Sequence, residues 1–141
     1  MSYNVRVVSA NVGTGAALSI VEMSVWNYAK GGSWLATPGV LELTMGGSGT
    51  SGMLRYQSAS GDERFTVAVG VHNYAPWVHI IPDVPTDETA VTLLPQYYNG
   101  GKYAGIPVVP TAEVQTSTGR KISAVMKNIE GNSYVLQLNI A

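Results

Sequence analysis

Apolar and polar residues alternate along most of this chain with a period of two, the spacing that puts one set of side chains on a buried sheet face and the other in water. Tyr3, Val5 and Val7 alternate with Asn4 and Arg6, and Val21, Met23 and Val25 with Glu22 and Ser24. The period returns at Leu41, Leu43 and Met45, at Phe65, Val67, Val69 and Val71, at Ile122, Ala124 and Met126, and at Tyr134, Leu136, Leu138 and Ile140. The pattern predicts at least six strands, mostly antiparallel. Turn residues punctuate them: Asn11 to Gly15, Lys30-Gly31-Gly32-Ser33, Gly46 to Gly52, Ser60-Gly61-Asp62, Thr118-Gly119 and Glu130-Gly131-Asn132. Short strands at this spacing favour a sandwich or barrel, because a parallel sheet would need long crossover helices.

From Pro76 to Pro110 the alternation fades, and this stretch holds six of the seven prolines. It is expected to be irregular or helical. Within it, Thr86 followed by Asp87 and Glu88 has the capping and acidic residues suited to the positive end of a short helix, which Pro95 would stop. The expected architecture is therefore all-β with minor α: an antiparallel β-sandwich with one or two short helices in the connection around residues 74–100.

A chain of 141 residues with 45% apolar and 12% charged positions is expected to form a single domain over residues 1–141, with a core large enough to need no staples. Eight basic against nine acidic residues leave a net charge of −1, and no Lys or Arg run is present to neutralise a phosphate backbone, so nucleic acid is not an expected partner. The lack of cysteine removes disulfides, thiolate nucleophiles and Cys-ligated metals together. Met1 to Arg6 has neither the basic start nor the apolar stretch of a secretory signal, and no segment approaches the ~18 apolar residues of a membrane span, which points to a soluble cytoplasmic protein.

The four glycines of Gly46-Gly47-Ser48-Gly49-Thr50-Ser51-Gly52 invite a phosphate-loop reading, which the next residues refuse. Met53 and Leu54 stand where a Lys and a Ser or Thr would have to reach phosphate and metal. A nucleophile elbow fails as well, because Thr50 replaces the last glycine it needs. What is left is a hairpin loop, or a surface whose amides and small hydroxyls meet a neutral polyhydroxyl ligand. His72 and His79 have no partner at metal-ligand spacing, and no metal or cofactor is expected. His72 ends a strand beside Asn73, placed to donate to a ligand hydroxyl or to cap the strand end. Asp62-Glu63 and Asp87-Glu88 would have to supply the acid and base of a glycosidase, but each pair sits in a polar turn or helix start where solvated carboxylates are expected, so no enzyme is predicted. Eight Tyr and three Trp against one Phe suit half-wet positions able to stack on a sugar.

Four blocks then carry a resemblance: VWNYAKGGSW from Val25 to Trp34, LTMGGSGTSGMLRY from Leu43 to Tyr56, FTVAVGVHNYAPW from Phe65 to Trp77, and QYY from Gln96 to Tyr98. In order and spacing they resemble the fungal fruit-body lectins of the mushroom lectin family. The resemblance implies a β-sandwich of actinoporin-like type and a defence-related lectin for O-linked glycans carrying Galβ1-3GalNAc, the T-antigen disaccharide, or GalNAc. It further implies that Ala29, Lys30, Gly31, Ser48, Gly49, His72 and Asn73 contact that disaccharide. Lys30 stands where the family usually has Asn.

The family's second site, for N-acetylglucosamine, is expected to be degenerate. Its positions are occupied by His79, Ile80, Pro82, Tyr103 and Ala112, so that a carboxylate, a threonine hydroxyl and a guanidinium are all missing. The resemblance implies a homo-oligomer, a dimer or tetramer, as does the avidity that linked weak sites provide. The alternative is an actinoporin-like membrane-active or pore-forming protein. Tyr3, Val5 and Val7 argue against membrane insertion, since they alternate as a strand rather than as a detachable amphipathic helix.

Overall fold

The computed structural model of the chain describes residues 2–11, 18–26, 28 and 30–141. Among them ten strands form two sheets. The six-stranded sheet has the order β3-β4-β1-β10-β9-β8 and the four-stranded sheet the order β2-β5-β6-β7. The strands are β1 (Tyr3–Asn11), β2 (Leu18–Trp26), β3 (Gly32–Thr37), β4 (Val40–Met45), β5 (Ser51–Ser58), β6 (Arg64–His72), β7 (Ala75–Ile81), β8 (Thr111–Gln115), β9 (Lys121–Glu130) and β10 (Ser133–Ile140). Neighbours are antiparallel except β1 and β10, which run parallel with Asn4 opposite Ser133. The expected all-β sandwich with minor α is what forms.

The period-two residues meet between the sheets. Val5, Val7, Leu43, Leu136, Leu138 and Ile140 from one sheet pack on Leu54, Tyr56, Phe65, Val67, Val69 and Ile80 from the other. Strand β6 is buried on both faces, because its intervening residues also lie under cover. There Ala68 joins Met53 and Trp77 in a second core, closed by Ala90, Leu93, Leu94 and Tyr97 from the helical connection. That connection holds α1 (Ala90–Leu93) followed by a 3-10 turn over Leu94–Tyr97.

Several expectations are corrected. The stretch after Pro76 is not irregular at its start, since Ala75–Ile81 forms β7. Proline fits there because β7 is the edge of its sheet and a missing N–H costs no ladder bond on the open side. The helix is capped by Thr89, not Thr86, and no acidic residue lies in its first turn. The α-helix does end just before Pro95, with Leu94 as its C-cap, and the chain continues from there into the 3-10 turn. In β2 the register shifts between Ile20 and Glu22, which leaves Val21 exposed while Leu18, Ile20 and Val25 pack on the core; Met23, opposite Leu54, is also exposed on this edge strand. The glycine loop is no hairpin: it carries the chain from β4 in one sheet to β5 in the other. The Asn11–Gly15 turn falls largely outside the described residues.

Candidate functional site

The strand ends that follow β2, β4 and β6 come together at one end of the sandwich. After β2 the chain turns through Lys30 and Gly31 with positive φ angles of 78° and 70°. The Gly31 N–H donates to the Tyr28 carbonyl (2.8 Å), and the Gly31 carbonyl accepts from the Gly46 N–H (2.7 Å). Inside the glycine loop the fully buried Thr50 donates its hydroxyl to that same Tyr28 carbonyl. The first two loops are thus one bonded unit. Gly49, at φ 101°, has the Tyr28 ring where a Cβ would stand, so any other residue would strain the backbone and displace that ring.

The third segment is the β6–β7 turn. His72 pairs with Ala75, and both residues between them, Asn73 (φ 49°) and Tyr74 (φ 66°), are left-handed. Such a two-residue turn matches the twist of the strands it joins, but it usually takes Asn-Gly. Tyr74 accepts the strain, and with 78% exposure it gains nothing from burial. The turn is tied to the glycine loop twice: the Tyr74 N–H donates to Ser48 Oγ (3.1 Å) and the Gly49 N–H to the Val71 carbonyl (2.7 Å). Asn73 Nδ2 lies 3.3 Å from His72 Nε2, so the amide donates to the ring when the imidazole proton sits on Nδ1.

Beneath this cluster stands Tyr98. Its hydroxyl donates to the Gly49 carbonyl (3.2 Å) and bonds Ser51 Oγ (2.6 Å), while its ring stacks on Trp26 with centroids 4.3 Å apart. Burial pushes the Tyr98 pKa above the usual phenol value, although the Ser51 bond opposes the shift, so the hydroxyl stays a donor. The structure therefore brings Lys30, Gly31, Ser48, Gly49, His72 and Asn73 together; Ala29 lies outside the described residues. The sequence assigns no role to Tyr28, Tyr74 and Tyr98, although each lies in a block that carries the resemblance. The hydroxyl of Thr50, one of the small hydroxyls expected with Ser48 and Ser51 at a ligand surface, is instead buried on the Tyr28 carbonyl.

The cluster presents amides, small hydroxyls and an imidazole, chemistry suited to a neutral ligand rich in hydroxyls. The Asp62-Glu63 pair is employed elsewhere. Glu63 is locked to Arg120 through bonds of 3.0 and 2.9 Å, which hold its carboxyl below the ordinary range. Asp62 accepts from Ser58 and Ser60 inside its own turn. Among the described residues no group of three or more His, Cys, Asp and Glu is arranged to hold a metal.

The five second-site positions do not converge. The His79 Nδ1 is hydrogen-bonded to the Tyr97 hydroxyl (2.6 Å), and its ring lies 5.4 Å from that of Tyr103. Ile80 instead points into the sandwich core, and Ala112 packs against that core from β8. Pro82 lies elsewhere, beside Asp62, Glu63 and Arg120. Alternation decides this: His79 and Ile80 are neighbours on one strand and must face opposite sides of the sheet.

The sequence and the fold each have relatives. The model of the family "Fungal fruit body lectin" matches residues 1–140. The Boletus edulis lectin is 43% identical over 144 residues, which take in 99% of this chain and 98% of that protein. The wild-type Xerocomus chrysenteron lectin, known from its crystal structure, superposes with a TM-score of 0.94 at 39% identity over all of both chains. A form of that lectin with methionine substitutions superposes equally well, at 40% identity over 100% of this chain and 99% of that one. The blocks that form the loop cluster lie inside a match running the whole length, in sequence and in fold alike, and the chain belongs to the fungal fruit body lectin family.

Proposed function

We propose that this lectin binds Galβ1-3GalNAc and related GalNAc or galactosyl O-glycans, without enzymatic activity, at the cluster of Lys30, Gly31, Ser48, Gly49, His72 and Asn73, with Ala29 adjoining it. One observation carries the reading: three chain segments distant in sequence are bonded into one exposed surface, and left-handed backbone at Lys30, Gly31, Gly49, Asn73 and Tyr74 keeps it shallow and rich in amides. A shallow site binds weakly, so a homodimer or homotetramer and a role in defence complete the proposal. The degenerate second site is proposed to leave terminal N-acetylglucosamine unbound.

A glycan array decides the specificity. Selective signal for Galβ1-3GalNAc and GalNAc structures is expected; folded protein with no such preference rejects the proposal. Asn73→Asp keeps a residue that tolerates left-handed backbone and removes the amide donors, so it should abolish binding at little cost in melting temperature. The membrane-active alternative requires the first strand to leave the sheet. Strand β1 lies between β4 and β10, bonded on both edges, and detaching it would open the core through Tyr3, Val5 and Val7. No dye release from vesicles is expected at micromolar protein.

A further inference from the structure

His72 has a second neighbourhood that the loop cluster does not use. On the outer face of the four-stranded sheet its ring forms one wall of a cleft of about 90 Å³, with Trp77, Tyr97 and Tyr103 as floor and the 104–108 segment, including Ile106 and Pro107, as the opposite rim. The floor is rigid. Tyr97 is stacked between Trp77 (5.4 Å) and Tyr103 (5.1 Å), and its hydroxyl is held by His79. The rim is pinned at both ends, by the Tyr103 N–H on the Gln96 carbonyl (2.8 Å) and by the Val78 N–H on the Val109 carbonyl (3.1 Å). The cleft is thus preformed, walled by aromatic and aliphatic side chains with polar atoms interspersed among them, and it shares His72 with the proposed sugar site.

We infer that this cleft receives the apolar peptide residue beside the glycosylated Ser or Thr, so that the chain reads a glycopeptide and not only its sugar. The inference rests on the carbohydrate reading above. A galactosyl disaccharide stacks only on an open ring face, and Trp77 and Tyr97 are both buried; its hydroxyls match amides and imidazole but not Ile106 and Pro107. The group that an O-linked glycan always adds is the peptide on its anomeric oxygen. Size narrows the choice: a cavity of roughly 150 Å³ is needed to enclose benzene, so a space of about 90 Å³ suits a prolyl or valyl side chain and not a whole aromatic ring.

Calorimetry with three probes tests it: the methyl α-glycoside of Galβ1-3GalNAc, and the same disaccharide on the threonine of the capped peptides Gly-Thr-Gly and Pro-Thr-Pro. The proline-flanked glycopeptide should bind about tenfold more tightly than the other two, equivalent to ~1.4 kcal/mol from the buried ring. Ala104→Trp, which fills the cleft from an exposed rim position, should erase that advantage and leave the methyl glycoside unaffected; Ile106→Asp should do the same. Equal affinity for all three probes overturns the inference while the sugar site stands, and so does an advantage that survives both substitutions. Failure of the methyl glycoside itself to bind removes the sugar site first and the cleft's role with it.

Discussion

Tyr98 meets the loop cluster only through its hydroxyl, on the Gly49 carbonyl and Ser51 Oγ, yet the cluster depends on it. Tyr98→Phe keeps the stack on Trp26 and deprives Ser51 Oγ and the Gly49 carbonyl of their partner. At about 1 kcal/mol per lost bond, the urea midpoint should fall by the equivalent of ~1–2 kcal/mol, and sugar affinity should fall with it as Gly49 loosens. Tyr74 shows the opposite economy. An L-residue with a Cβ costs ~1–2 kcal/mol in left-handed backbone, so Tyr74→Asn should raise the melting temperature, as calorimetric scanning would show. These residue-scale details were the least legible in the sequence. The positions at Ser48, Gly49, His72 and Asn73 are what the family resemblance of the quoted blocks implies, but a tyrosine in a turn that favours glycine runs against propensity, and Tyr98 reaches the site from a connection far along the chain.

Strand β2 illustrates how one element organises another. Its bulge turns Glu22 outward, where Oε1 accepts from Arg55 Nε (2.8 Å) and from the Ala90 N–H (2.7 Å), and Oε2 from the Val91 N–H (3.3 Å). A four-residue helix cannot sustain itself in water. α1 exists because this carboxylate meets its first amides, Thr89 caps it, and Ala90 and Leu93 are buried. Glu22→Gln should therefore cost ~1–2 kcal/mol, less than a fully buried charged bond because the side chain is partly exposed, and proteolysis within residues 82–100 should speed up as the connection loosens. Alternation revealed most strands because one face of each is wet. It missed β7, whose proline and two-sided burial hide the period, and it misplaced Val21 because a bulge is invisible until the partner strand is known.

At the scale of the whole molecule, acid should act in two stages. Burial holds His79 below the usual histidine pKa, so the neutral ring stabilises the fold above pH ~6.5 and this contribution fades as pH falls through that value toward the folded pKa. Burial alone would raise Glu22, but Arg55 and the α1 amides outweigh it; Glu63 is lowered chiefly by its bond to Arg120. Their contribution is complete above pH ~4.5 and is lost below it. Melting temperature followed from pH 8 to pH 3 should show a shallow decline and then a steep one, with His79→Gln removing the first. Light scattering should report a dimer or tetramer. The parallel pairing of β1 with β10 bears on how such a molecule is made in a cell. Asn4 must wait for Ser133, and until it does β1 has a bare edge and an uncovered apolar face. Pairings so remote in sequence slow a folding reaction, because the loop between them must close before the contact returns anything. A growing chain on the ribosome therefore carries β1 unpaired on that side until β10 emerges. Chaperone capture should persist on ribosome-stalled chains that stop short of residue 133 and fall sharply on stalled chains in which a carboxy-terminal linker carries residues 133–140 out of the exit tunnel.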